Sequence, residues 1–195
     1  MFKNLRRKSS SGKIASPRTS IKYTRDQTTP SSPSSFTGGS PNGGSNKAQV
    51  RKLIRECIKT NSKTLDMSNC SIQHLPYEMT DCKQIEVLDL SWNELSVLPT
   101  WFCSTFTNLK VLKLRGNLIF ELPENLFLLR DLEEIDLSCN KFEYFPRGLV
   151  SMRWLETIDI SDNCLLNIPS DIDKMKNSLK SLDISGNSLM TLPVE

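Results

Sequence analysis

Asparagine recurs in this chain at a nearly constant interval: Asn93, Asn117, Asn140, Asn163 and Asn187 stand 24, 23, 23 and 24 residues apart. Around each one the same phrase returns, L-x-L-x-x-N-x-L-x-x-L-P, with its clearest copy running from Leu88 to Pro99. No other feature constrains the fold as much. A unit of this length cannot bury its apolar face alone and needs a neighbour on each side to cover it. Such a chain stacks into a solenoid, and a solenoid displays a long surface for binding more readily than a closed pocket for chemistry.

The five copies begin at Leu88, Leu112, Ile135, Ile158 and Leu182. A sixth runs from Leu65 to Pro76, with Cys70 in the asparagine slot. Five copies also carry an apolar residue three positions upstream (Ile85, Leu109, Leu132, Leu155, Leu179), where the first has Ser62. The L-x-L pair reads as a short strand whose alternate residues face opposite ways. Leu88 and Leu90 then point inward and Asp89 points out on the concave side. An asparagine side chain both donates and accepts hydrogen bonds, so it can satisfy the backbone of a sharp turn and of its neighbour. Repetition at one height predicts a ladder of Asn93, Asn117, Asn140, Asn163 and Asn187, with Cys70 filling the first slot as a small, weak donor. The closing proline, with fixed φ and no N–H, ends each turn. Two copies hold one extra residue, within residues 100–109 and 171–179, and these insertions are expected on the convex side.

From Leu65 to Pro193 this pattern resembles the intracellular leucine-rich repeat class with 23-residue units, and within it the Ras-suppressor, Scribble and plant Ras-related group. The resemblance implies an α/β fold: a right-handed solenoid with a parallel concave sheet and short helices or turns behind it. Residues 62–195 would form six repeats, the last incomplete. A capping helix is expected over residues 46–61, because Val50, Leu53, Ile54, Cys57 and Ile58 fall on one helical face and the end of a stack needs a lid. Asn46 or Ser45 would cap its start. At the other end, Leu182, Ile184, Leu189 and Leu192 lack a following coil, which fits either a fragment of a longer protein or a docking or dimer face.

The net charge of +3 hides an uneven distribution. Residues 1–48 hold nine Lys/Arg and one acid, whereas the remainder holds 16 basic and 21 acidic residues. Residues 1–45 form a basic tail rich in Ser, Thr and Pro, too poor in apolar residues to offset the cost of ordering, and so expected to be disordered. Within it Ser16, Thr29, Ser32 and Ser40 precede prolines and Ser9 follows Arg6-Arg7-Lys8, so all five resemble kinase sites. Phosphorylation there would erase much of the positive charge. Three readings of the first 25 residues stay open: a solvated arm, a contact with an anionic membrane surface or acidic partner, and a transit peptide. Secretory, lipidation and membrane-spanning signals are all lacking in the sequence.

The six cysteines form no C-x-x-C pair and no flanking cluster, which points to reduced thiols and a cytoplasmic protein. Catalysis is not expected. His74 is the only histidine and has no nucleophile in register, and no phosphate-binding or kinase motif occurs. Zinc on His74, Cys70 and Cys82 would lack recognised spacing. No cofactor, metal or small-molecule substrate is expected, nor nucleic acid, because the body is acidic.

The residue between the two strand leucines is Asp66, Asp89, Lys113, Asp136, Asp159 and Asp183 along the six copies. This predicts an acidic column broken at the third repeat by Lys113 and Arg115, with Trp92 beside the break and Asp162 adding to the acidic side. The aspartates either steer a basic partner or serve their own backbone. An exposed Trp beside an Arg is enriched at interface hot spots, so Trp92, Lys113 and Arg115 are the expected anchors of a protein partner. The flank formed by Leu118, Phe120, Tyr144, Leu166 and Met190 is either a second candidate surface or partly buried against the next coil. Two functions fit: a non-catalytic adaptor or scaffold binding protein on its concave face, for which the resemblance suggests a setting near Ras-like GTPases, or the regulatory or targeting arm of a larger signalling enzyme.

Overall fold

A computed structural model describes residues 43–190. Six three-residue strands lie in sequence order in one parallel sheet: β1 (Thr64–Asp66), β2 (Val87–Asp89), β3 (Val111–Lys113), β4 (Glu134–Asp136), β5 (Thr157–Asp159) and β6 (Ser181–Asp183). Leu65 pairs with Leu88, Leu88 with Leu112, and so on through Ile135, Ile158 and Leu182. The first apolar residue of every phrase therefore occupies a single row. Leu88, Leu112 and Ile135 are fully buried, and Leu65 and Ile158 nearly so. Each such side chain contributes about 1.5–3 kcal/mol of burial.

Parallel neighbours require a return path between strands, and the proline half of each repeat supplies it. At five successive prolines the carbonyl accepts from the N–H three residues on, in pairs such as Pro76–Met79, Pro123–Leu126 and Pro146–Leu149. One turn of helix results each time: 3-10 turns at Tyr77–Asp81, Glu124–Leu128 and Ser170–Met175, and short α-helices α2 (Phe102–Thr105) and α3 (Arg147–Val150). The two extra residues fall in this layer, as expected from the repeat lengths. Around α2 the insertion lets Thr105 and Phe106 donate four residues back, to Trp101 and Phe102, and buries Phe102, Cys103 and Phe106.

Helix α1 (Gly43–Thr60) covers the first repeat with Val50, Ile54 and Cys57 buried. Two details differ from the sequence reading. The helix begins at Gly43 rather than residue 46; glycine is a poor helix former, so the sequence pointed to the first capping residue instead. Ile58 is 41% exposed. At 100° per residue it sits about 80° from Val50, at the edge of the stripe and off its centre. The helix ends on Asn61 at φ 50°, where Asn61 N–H donates to Ile58 and Ser62 N–H to Cys57. This double closure with a left-handed residue is a Schellman motif. The predicted tail with Ser9, Ser16, Thr29, Ser32 and Ser40, and the last five residues, lie outside the described residues.

Candidate partner-binding surface

The concave surface is built outward from the asparagine ladder. Asn93 Nδ2 donates to Met67 O (2.9 Å) and Leu90 O (2.8 Å), and its Oδ1 accepts from the N–H groups of Cys70 and Ile72. Asn117, Asn140, Asn163 and Asn187 repeat the scheme, each stitching its own turn to the one before. Cys70, in the first slot, donates only within its own turn, to Ser68 O at 3.3 Å.

The residue before each ladder position has a left-handed backbone: Asn69, Trp92, Gly116, Cys139, Asp162 and Gly186 all lie at φ between 53° and 68°. Such a φ costs a non-glycine residue about 1–2 kcal/mol. In return its N–H reaches the next repeat, as in Trp92 N–H to Arg115 O (2.7 Å) and Asp162 N–H to Ser185 O (2.8 Å). The side chain then leans over the following member of the column. Trp92 lies on Gly116, where a Cβ would fall 2.3 Å from the indole, and Asp162 lies on Gly186 at 2.2 Å. The sequence placed these residues on the concave side but gave no sign of their backbone conformation, because four of the six are not glycine.

Trp92 is 51% exposed. The Arg115 guanidinium stands 5.6 Å from its ring centroid and donates from Nη1 to Ser138 Oγ at 2.9 Å. That cation–π contact contributes about 0.5–1 kcal/mol at such an accessible site. Lys113 is in register with Asp89 on one side and Asp136 on the other. The structure thus brings Trp92, Lys113 and Arg115 together in a shallow depression of 430 Å³, whose walls include Asp89, Glu134 and Asp136. Glu134 was not among the expected concave residues because it precedes Ile135 instead of following it.

Asp66, Asp89, Asp136, Asp159 and Asp183 each accept through Oδ1 from the N–H two residues on, at 2.9–3.0 Å. At Ser138, Ser161 and Ser185 the hydroxyl adds a 2.6 Å bond to the same oxygen. These aspartates therefore serve their own backbone. They also lie on the concave surface, Asp66 exposed and the others half-buried. At β3 the pair Lys113 and Arg115 replaces Asp and Ser, so this turn bond is absent and two cations project instead. Asp162, on the left-handed column, is exposed two repeats away from them.

A rim of both charges borders the strands. Glu86 is gripped by Lys110 (2.8 Å) and Lys63 (2.5 Å), and Glu156 by Lys180 (2.6 Å). The hydrogen bonds from Lys110 and Lys63 hold the Glu86 carboxyl down to about 2. Exposed pairs of this kind add little to stability. All six cysteines are free thiols. Burial pushes Cys82 and Cys103 up to about 12, the opposite of the activation a nucleophilic thiol requires. His74 is exposed in its turn.

The flank is more open than burial against the next coil would leave it. Leu118, Phe120, Tyr144 and Met190 are 48–81% exposed, and only Leu166 is half-buried. Here the backbones of successive coils bond directly, as in Leu166 N–H to Glu143 O and Met190 N–H to Leu166 O, so these side chains project outward while Ile119, Phe142 and Leu165 take the inner positions. On the convex side, Gln84, Asn108 and Trp154 occupy one repeat position and donate to the preceding coil at Cys57 O, Lys83 O and Leu129 O. Three unlike residue types in that role left no motif to read.

The family model described as Leucine rich repeat matches residues 107–165, and a second of the same description matches 84–105 and 178–195. Together they take in 99 of the 195 residues. The chain is 35% identical over 146 residues to adenylate cyclase of Schizosaccharomyces pombe, covering 73% of this chain and 8% of the cyclase. It is 30% identical over 158 residues to Ras guanine nucleotide exchange factor V of Dictyostelium discoideum, covering 68% of this chain and 8% of the factor. Mouse leucine-rich repeat-containing protein 20 is 33% identical over 84 residues, 40% of this chain and 46% of that protein. The chain thus spans less than half the length of each of these relatives. A leucine-rich repeat protein of Leptospira interrogans superposes with a TM-score of 0.54 at 29% identity, covering 66% of this chain and 38% of the other. Among the described residues no helix is long and apolar enough to cross a membrane.

Proposed function

This chain belongs to the leucine-rich repeat family, and on that footing we propose that it is a non-catalytic protein-binding module, an adaptor or scaffold that grips a partner on its concave face. Trp92, Lys113 and Arg115 are the anchors, and Asp66, Asp89, Asp136, Asp159, Asp162 and Asp183 steer the partner's basic residues. One observation carries the reading: the acidic column breaks at β3, where Arg115 lies over the exposed Trp92 ring of the preceding repeat. A half-desolvated aromatic beside a guanidinium is the kind of group that dominates interface energetics. Surrounding charge of opposite sign sets encounter rate and orientation.

The setting we favour is cytoplasmic signalling, with a Ras-like GTPase or a related signalling protein as partner. Support comes from relatives that are an adenylate cyclase and a Ras guanine nucleotide exchange factor. The same relatives favour a second reading, in which these repeats are an arm of a larger signalling enzyme. The basic N-terminal residues would add attraction to an anionic membrane surface.

The test is a variant carrying Trp92→Ala, Lys113→Ala and Arg115→Ala, compared with Phe120→Ala/Tyr144→Ala on the flank. Affinity capture from cells with quantitative mass spectrometry is read alongside thermal melting. The first variant should lose a specific set of proteins and the second retain it, with both folded. Retention by both folded variants refutes the assignment. Transcript sequencing beyond the Glu195 codon separates the adaptor from the arm.

A further inference from the structure

The concave sheet carries a charge pattern with a definite period, and this period selects among partner structures. In one column, from β1 to β6, stand Asp66, Asp89, Lys113, Asp136, Asp159 and Asp183. Arg115 strengthens the positive step, and Glu134 and Asp162 strengthen the two negative steps that follow. Read by repeat, the face is negative, negative, positive, then negative three times. We propose that its occupant is an α-helix of a partner protein, laid along the stack and bearing a basic stripe interrupted by one acidic residue opposite β3. This inference rests on the concave-face reading above and names the kind of partner.

Spacing decides for a helix over a strand. Neighbouring strands stand about 4.8 Å apart, so five steps cover about 24 Å. A helix repeats one face about every 5.4 Å, giving about 27 Å over five turns, a total mismatch of about 3 Å. Lysine and arginine side chains absorb that by reorientation. An extended segment repeats one face about every 6.8 Å and overshoots by about 10 Å, more than one strand spacing. Width agrees as well. Each strand is three residues long, about 10 Å, close to the diameter of one helix. A helix seated this way places its acidic residue against Lys113 and Arg115 and one flank against the Trp92 ring. On the adjoining rim Glu86 with its two lysines and Glu156 with Lys180 are already paired within the chain, and exposed Glu133 adds to the negative step at β4.

The probes are alanine-based peptides of about 20 residues. One carries lysines on a single helical stripe with a glutamate in the third place. Another has the same composition with the stripe shuffled. Binding to the full chain is read by fluorescence anisotropy at physiological salt, and helicity by circular dichroism. The striped peptide should bind about tenfold more tightly than the shuffled one and gain helix on binding. Lys113→Glu should weaken it by about the same factor, and exchanging the peptide's glutamate for lysine should restore binding to that variant. Equal affinity of the two peptides, failure of both to bind, binding without helix, or no rescue by the exchange would each overturn the proposal. Dimerisation competed by either peptide would assign the face to a second copy and likewise overturn it. If the triple alanine variant still loses its cellular partner while the peptides do not discriminate, the helix is wrong and the concave site survives.

Discussion

Replacing Asn140 by alanine leaves the buried Ile119 N–H without its partner and takes one of two asparagine donors from the carbonyls of Leu114 and Leu137, which keep Asn117 and Asn163. Asn140 Nδ2 donates to Leu114 O at 2.9 Å and Leu137 O at 3.1 Å, and Oδ1 accepts from Ile119 N–H at 3.0 Å. Asn140 itself is 3% exposed, and Leu114, Leu137 and Ile119 are fully buried, so water does not reach the vacated groups without disturbing the stack. The orphaned N–H costs about 1–3 kcal/mol, and each of the two lost carbonyl bonds about 0.5–1.5 kcal/mol. Relaxation of the coil places the expected total in the lower part of the sum, about 2–4 kcal/mol. Asn140→Asp is the sharper probe, because it keeps the shape and the acceptor but turns a carboxylate oxygen toward two carbonyls. At neutral pH it should cost at least as much as alanine. Asn125→Ala, which removes one convex bond to Thr100 O, should cost about 1 kcal/mol or less. Urea unfolding followed by tryptophan fluorescence and far-ultraviolet circular dichroism measures all three. Coincidence of the two signals checks that the solenoid melts as one unit. An Asn140→Ala cost below about 1 kcal/mol, or one equal to that of Asn125→Ala, would refute the view that the ladder satisfies otherwise orphaned groups.

Gly116→Ala should lower stability by about 1–2 kcal/mol through its φ of 67° and displace the Trp92 ring, seen as a lower melting temperature with altered acrylamide quenching. Glu86 has a depressed carboxyl, so its contribution is complete above the ordinary 4.5 and is lost as pH falls toward about 2. A carboxyl-carbon NMR titration should place its midpoint near 2, and in Lys110→Gln the midpoint should move up toward 4.5. Thiol labelling of the native protein should reach exposed Cys164 first and leave Cys82 and Cys103 untouched until urea opens the fold.

The strand rows and the asparagine ladder were legible because each rests on one residue type recurring at one place, with a spacing that only stacking explains. Leu88, Leu112 and Ile135 needed no structure to be placed. Trp92 and Arg115 were also legible as neighbours, since register alone puts them in adjacent coils. What stayed hidden depends on backbone conformation or on unlike side chains sharing a task. The left-handed column carries Trp, Cys and Asp as well as glycine, so no glycine motif marked it. Gln84, Asn108 and Trp154 make equivalent bonds with three different groups. The sequence left open whether the aspartate column serves its own backbone, and the Oδ1 contacts to the following serine N–H groups show that it does. The start of α1 was missed because Gly43 and Gly44 carry no helical signal.

The proposed function requires the concave sheet to hold the partner. A photo-crosslinking amino acid at Val111, beside Lys113 on β3, compared with one at exposed Phe127 behind the sheet, tests it in living cells. A partner held on the concave sheet gives a discrete covalent adduct from position 111 that disappears when Trp92 and Arg115 are also replaced by alanine, and none of that mass from position 127. An adduct formed equally at both positions, or only at 127, would contradict it.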